Sequence, residues 1–394
     1  MKYNFDTVID RKKTDCEKYS NNLSVFGTED ILPLWIADMD FASADFIVNA
    51  LADRANHGVF GYACRCDCFW EAVQYWLSAR SGWQIEDDWL LFSPGVVSGL
   101  VFSILSNSKE GEGILIQPPV YHPFANVIKA NNRTIVNNPL IKNNDGTYSI
   151  DFEDFEQKTK LAKVFILCNP QNPTGKVYTK EELQRIGEIC LKNNVTVISD
   201  EIHMDFVFAP AKHLHFATVD PRFADFTITM TAPSKSFNIA GLCTAYAVIP
   251  NKKLRDNYLT EMCKIHCDNS NVFGTVALKA AYTPEGQEWM TQMNEYLISN
   301  IDFTIDFLEK NLPNVKCHKP EATFLLWLDF NNFGLTQDEL VEFLVKEAKL
   351  GLNDGRIYGE GGDGFMRINI GAPKLTIEQA LNQLLDAAKK RGLA

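Results

Sequence analysis

The sequence has no apolar run approaching the roughly 20 residues that a membrane-spanning helix needs, so a helical membrane protein is not expected. It is also short of positive charge: 38 Lys and Arg stand against 50 Asp and Glu, for a net charge of −12. Such a surface repels polyanions, and neither nucleic acid nor an anionic membrane is an expected partner. The opening residues, Met1-Lys2-Tyr3-Asn4-Phe5-Asp6, are too polar for a signal peptide. Repeats, low-complexity stretches and obvious linkers are missing. So are paired CxxC motifs. The ten cysteines are scattered, mostly inside apolar segments such as those around Cys168, Cys190 and Cys243, and read as reduced thiols of a cytoplasmic protein. The one cluster, Cys64-Arg65-Cys66-Asp67-Cys68, alternates in a way zinc sites do not, and no second pair answers it. No metal site is expected.

What is present is ordinary globular material: 394 residues, 46% of them hydrophobic, enough for a large core and for two domains. Short runs rich in Val, Ile and Leu predict strands at Leu90–Phe92, Gly113–Gln117, Lys163–Cys168, Thr196–Ser199, Phe226–Thr231 and Thr244–Ile249. Runs apolar on both faces suggest a buried, mostly parallel sheet. Helical patterns fall between them at Asp67–Arg80, Val96–Leu105, Lys180–Lys192 and Val272–Tyr282, and Thr179–Glu182 reads as a capping box. This alternation predicts an α/β domain over residues 46–285. After Thr283-Pro284-Glu285-Gly286 the pattern changes: a long helix to about Asn311, a strand at Phe324–Asp329, a helix at Gln337–Lys349, a strand at Phe365–Ile370 and a helix at Ile377–Arg391. Residues 286–394, joined by 1–45, are expected to form a second, smaller α+β domain.

Four short motifs follow predicted strands. Ser93-Pro94-Gly95-Val96-Val97 joins a strand to a helix, whose first N–H groups suit a phosphate. Asn169-Pro170-Gln171-Asn172-Pro173-Thr174-Gly175 is a rigid turn that presents an amide. Asp200 ends a strand; it could be a helix cap, or a carboxylate partner for a pyridinium nitrogen. Lys235, in Thr231-Ala232-Pro233-Ser234-Lys235-Ser236, would by default be a solvated surface residue. At the open edge of a parallel sheet it could instead form a Schiff base with an aldehyde. Each bland reading is easy to accept alone. All four at one sheet edge are not.

In that order and spacing, with Tyr121 before them, these residues resemble the signature of fold-type I pyridoxal-phosphate (PLP) enzymes, the class I/II aminotransferase superfamily. The stretches Leu34–Phe41, Gly58–Tyr62 and Ser234–Leu242 look like its cystathionine β-lyase, or cysteine-S-conjugate β-lyase (cystalysin-like), branch. The resemblance implies a PLP-dependent transferase-like fold. It implies that Lys235 holds PLP and acts as catalytic base, that Asp200 meets the ring nitrogen, and that Asn172 and His203 lie near the ring hydroxyl. Tyr121 would stack on the ring. Gly95, Val96, Val97 and Ser234 would bind the phosphate, with Tyr62 reaching in from the neighbouring subunit of a homodimer. Arg367 would clamp the carboxylate of a small amino-acid substrate, a pairing its bidentate guanidinium suits. Cys243 stands where many members carry an Arg, His203 where many transaminases have Tyr, and Ala232 where many have Ser. These differences lean towards a carbon–sulfur lyase and away from an aminotransferase, the second reading. A regulatory protein-binding role beside catalysis ranks third.

Two motifs are set aside. Gly359-Glu360-Gly361-Gly362-Asp363-Gly364 matches GxGxxG, but it leads into a strand, not a helix, and reads as a turn. His213-Leu214-His215 and His203 have no obvious carboxylate partners in sequence, and a surface or packing role is expected.

Overall fold

The computed structural model describes residues 2–63 and 66–394; Met1, Cys64 and Arg65 lie outside the described residues. Seven strands build the central sheet: β1 (Leu90–Ser93), β2 (Gly113–Ile116), β3 (Thr134–Asn137), β4 (Ala162–Cys168), β5 (Thr196–Asp200), β6 (Thr227–Thr231) and β7 (Ala245–Val248). They lie in the order β1-β7-β6-β5-β4-β2-β3. Every pairing is parallel except the two made by β7. The reversal has a simple cause. Residues 232–244 hold only a four-residue helix and one 3-10 turn. That is too little to carry the chain back across the sheet for a parallel return.

The strands β5 and β6 are buried on nearly every residue, as a sheet covered on both faces requires. On one face the Val96–Asn107 helix lies close against β6. A Cβ on Gly99 would come within 2.0 Å of the Met230 side chain, so this helix needs glycine there. The Lys180–Lys192 helix begins with the expected capping box: Glu182 N donates to Thr179 Oγ1, and Thr179 N to the Glu182 carboxylate.

A second sheet is antiparallel: β8 (Lys316–Cys317), β9 (Leu325–Asp329), β10 (Asn353–Asp354) and β11 (Phe365–Asn369), in the order β8-β9-β11-β10. The 28-residue Pro284–Asn311 helix and the Lys374–Arg391 helix accompany it. The buried Asn300 amide ties the long helix to the end of β11, donating to Ile370 O and Ala372 O. The N-terminal stretch lies against this part of the chain, with Leu32–Pro33 pairing in parallel with Leu350–Gly351. The helix expected over Gln337–Lys349 is shorter: α-helical over Gln337–Glu342, then a wider π turn over Phe343–Glu347, ending before Lys349 turns left-handed at φ 56°. No helix among the described residues is long and apolar enough to cross a membrane.

One glycine couples the two sheets. Gly175 has φ +71°, and its carbonyl accepts from Glu321 N and Ala322 N at 3.0 Å each. A Cβ there would stand 2.3 Å from Pro320 Cβ. Gly175→Ala is expected to destabilise the protein by roughly 1–3 kcal/mol, from left-handed strain plus overpacking. Scanning calorimetry should show a lowered transition; an unchanged one would mean that the close approach is not held in solution.

Candidate active site

Parallel strands end at one edge, and the chain places its polar loops there. The turns after β1, β2, β4, β5 and β6 all leave at the carboxyl edge, and the antiparallel β7 begins at it. Together they enclose a cavity of about 250 Å³. Gly95, Val96, Val97, Tyr121, Asn172, Asp200, His203, Ser234 and Lys235 all line it, as do Ala232 and Cys243. A larger cavity of about 1100 Å³ adjoins it, sharing Ala37, Tyr121 and Lys235 and adding Arg367. Of the residues expected to hold the cofactor or the substrate, Tyr62 alone stays away. It is 106% exposed, on a segment that also exposes Val59 and Phe60.

Burial sets the electrostatics. The Lys235 amine is brought down to about 8, chiefly because burial penalises its charge; nearby Asp38 and Asp200 partly offset that. Its Nζ donates to Ala37 O at 2.6 Å. Burial also pushes the Asp200 carboxyl up to about 7, and the bond from Ile202 N only partly counters this. His203 is held neutral, at about 3, by burial and by the charges of Lys235 and Arg367. Its Nδ1 has no hydrogen-bond partner. Arg367 is buried without a carboxylate: Nη1 donates to Asn172 Oδ1 at 3.0 Å, Nη2 to Trp35 O at 2.7 Å, and Nε has no partner. Among the described residues, none of Asp200, Lys235 and Arg367 forms an ion pair. Buried charges without counterions are costly, and a ligand carrying the complementary groups would relieve that cost.

These features fit a phosphorylated pyridine aldehyde. The Val96–Asn107 helix starts at the cavity with Gly95 as its N-cap and no side-chain cap, leaving first-turn N–H groups for an anion. Lys235 is the only lysine or arginine lining the smaller cavity among the described residues, so backbone amides and hydroxyls would have to hold a phosphate.

The stretch 34–41 plays a part that periodicity did not reveal. It has almost no regular structure, yet its carbonyls receive the site's donors. Asn369 Nδ2 donates to Ile36 O and Asp38 O, and Asn238 Nδ2 to Met39 O and Phe41 O. Arg367 and Lys235 bond Trp35 O and Ala37 O. A bent, half-buried stretch has no periodic pattern to give it away; its partners are long-range amides and a few backbone bonds, from Leu34 N to Gly351 O and from Asp40 N to Gly371 O.

One expectation from the sequence stands and another needs adjustment. The Gly359–Gly364 turn does lead into β11, as read, with Arg367 just beyond. His213 and His215, however, have a carboxylate partner after all and are packed inside: Glu201, distant from them in sequence, meets both. Local spacing could not reveal it, because the intervening loop brings the histidines back to the end of β5.

Comparison with known proteins agrees with this architecture. The profile described as "Aminotransferase class I and II" matches residues 29–384. The chain is 40% identical to cystathionine beta-lyase PatB of Bacillus subtilis, over 97% of this chain and 98% of that protein. Among solved structures, a PLP-bound putative aminotransferase from Clostridium difficile 630 superposes with a TM-score of 0.96 at 43% identity, covering 98% and 99% of the two chains. Cystalysin from Treponema denticola, which contains PLP, does so with a TM-score of 0.95 at 33% identity, covering 99% and 100%. The chain therefore belongs to the class I and II aminotransferase family, on the fold of PLP-dependent enzymes. Within that family it stands on the cystathionine β-lyase branch.

The raised Asp200 value has a measurable consequence. In protein stripped of cofactor, the folded state keeps this proton up to about 7, whereas an unfolded chain loses it near 3.8. The folded state then binds more protons across that window, and stability falls as pH rises through it. Cofactor-free Asp200→Asn should lose less stability than wild type between those pH values, by on the order of a few kcal/mol. Denaturant titrations at several pH values check this; parallel curves for the two proteins would contradict it.

Proposed function

We propose that this protein is a PLP-dependent carbon–sulfur β-lyase. It acts on cystathionine or related L-cysteine S-conjugates and releases a thiol, pyruvate and ammonia. The observation that carries this reading is the trio of buried, unpaired ionisable groups around two joined cavities: Asp200, Lys235 and Arg367. They match a ring nitrogen, an aldehyde carbon and a substrate carboxylate.

Bound PLP supplies an electron sink next to the substrate Cα. Lys235 would anchor it. The amides of Gly95, Val96 and Val97, with the Ser234 hydroxyl, would hold its phosphate, helped by Tyr62 from a second copy of the chain. Tyr121 would cover the ring, Asn172 and His203 would sit by its hydroxyl, and Asp200 would face its nitrogen. Arg367 binds the substrate carboxylate; its bonds to Asn172 and Trp35 O already fix the guanidinium plane, so little freedom is lost on binding. Lys235, with a value of about 8, is in part an uncharged amine near neutrality. With its amine free beside the substrate, Lys235 would take the Cα proton as general base and return a proton to the departing sulfur. Ala37 O is positioned to orient that amine.

The homodimer is supported by the exposed Val59, Phe60 and Tyr62, at 63%, 57% and 106%. The nine described cysteines are all free thiols, which supports a reducing compartment such as the cytoplasm. Cys243 and Ala232 at the cavity wall support the lyase branch. An aminotransferase is the second reading, supported by the description of the Clostridium difficile relative.

Purified enzyme supplied with L-cystathionine and no keto acid should release pyruvate and thiol; turnover that strictly requires a keto acid would mean transamination. Lys235→Ala should lower lyase turnover by about 10²-fold or more. A near-wild-type rate would remove Lys235 from the mechanism. Arg367→Lys should raise KM by about tenfold or more, since an ammonium cannot replace the planar fork. An unchanged KM in steady-state assays would place carboxylate recognition elsewhere.

A further inference from the structure

One cluster of ligand-type side chains lies outside both cavities. Glu201 follows Asp200 but does not line the cofactor cavity. It is fully buried. Its Oε1 accepts from Ser199 Oγ at 2.7 Å and from Phe216 N at 3.1 Å. Its Oε2 faces two imidazole nitrogens, His213 Nε2 at 3.0 Å and His215 Nδ1. The three potential ligand atoms lie within 4.8 Å of one another.

We propose that Glu201, His213 and His215 form a binding site for a divalent transition-metal ion of the Zn²⁺ class, separate from the cofactor site, that ties the 209–215 loop to the end of β5.

The donor set is the first reason. Two imidazoles and one carboxylate oxygen are the ligands that Zn²⁺ takes in three-ligand sites. The spacing is the second. Zinc–ligand bonds of about 2.0–2.2 Å in a tetrahedron put neighbouring ligand atoms roughly 3.3–3.5 Å apart. The His213–Glu201 pair needs to open by only a few tenths of an ångström beyond its 3.0 Å, while the tighter His215–Glu201 contact has to open further, by a rotation of the imidazole. The surroundings are the third. Ser199 and Phe216 occupy Oε1, so Oε2 is the oxygen turned to the two imidazoles. His215 Nε2 lies 2.7 Å from Ser81 Oγ, the kind of outer partner that fixes the tautomer of a metal-bound imidazole. Residues Ala209, Pro210 and Lys212 of the loop that carries His213 are exposed, while the three ligand side chains are themselves buried.

The competing arrangement is a carboxylate that shares protons with two imidazoles and takes no metal. The two are separable in the holoenzyme. Protein is treated with a chelator, incubated with Zn²⁺, desalted, and its metal counted by mass spectrometry. Wild type should retain about one more Zn²⁺ per chain than His213→Gln or Glu201→Gln, and Zn²⁺ should raise its melting temperature but not theirs. Cobalt should give wild type the visible bands of a four-coordinate nitrogen–oxygen site. The free thiols and the cofactor phosphate are the same in all three proteins, so the difference isolates this cluster. Glu201→Gln disturbs a buried network; His213→Gln, on the loop, keeps the test open if that variant fails to fold, with cofactor absorbance as the check on folding. Equal metal content in wild type and His213→Gln, or a melting temperature indifferent to Zn²⁺ in wild type, overturns the proposal.

Discussion

The structure is organised around charge that has been buried and left unpaired. Asp200 and Arg367 are removed from water and Lys235 largely so, and each carries a polar contact too weak to replace a counterion. Isolated, such groups would be among the most unfavourable features a core could hold. The protein tolerates them because a parallel sheet supplies a rigid edge with several loops converging on it, and because two of the three shift towards neutrality: the carboxyl up, the amine down. A ligand bearing a basic ring nitrogen, an aldehyde and a phosphate answers the first cavity. An amino acid answers the second.

A different solution to the same problem stands a few residues away. Lys18, wholly buried, bonds Asp38 O and both Asp40 oxygens, while Arg11 pairs with Asp38 and Asp40. Here two cations and two carboxylates close into one network. It fixes the 34–41 stretch, whose carbonyls meet Lys235 and Arg367. The paired quartet is scaffolding for the unpaired trio: the chain neutralises charge where it needs rigidity and leaves charge open where a ligand must enter. Asp38 connects the two, because its field partly sustains the protonated form of Lys235.

How much was legible beforehand depended on whether a feature was local. Strands β1, β2, β4, β5, β6 and β7 were readable within a residue at each end, because buried strands are continuous apolar runs. β3 was missed: it is an edge strand whose Thr134 and Asn137 are exposed, so its apolar run is too short to stand out. The Lys180–Lys192 helix was legible to the residue because its capping box is a local pattern. The helix expected to reach Lys349 was overextended because a π turn keeps helical periodicity for a few residues beyond the regular bonds. The direction of β7 was not legible either. A run of apolar residues is the same read in either direction.

The sequence by itself determined the alternation of strands and helices, and the polar residues that punctuate the strand ends at Gly95, Asn172, Asp200 and Lys235. Strand length, apolar continuity and turn chemistry are written in neighbouring residues, and they suffice to place those four at one edge. Tertiary structure alone decided the rest. It set Ala37 O against Lys235 and Trp35 O against Arg367, from a segment about 200 and 332 residues away in the chain. It brought His213 and His215 onto Glu201. These contacts join a carbonyl or carboxylate to a donor with no periodic relation to it. A backbone carbonyl is present at every residue, so only the folded path of the chain selects which one the buried amine will meet.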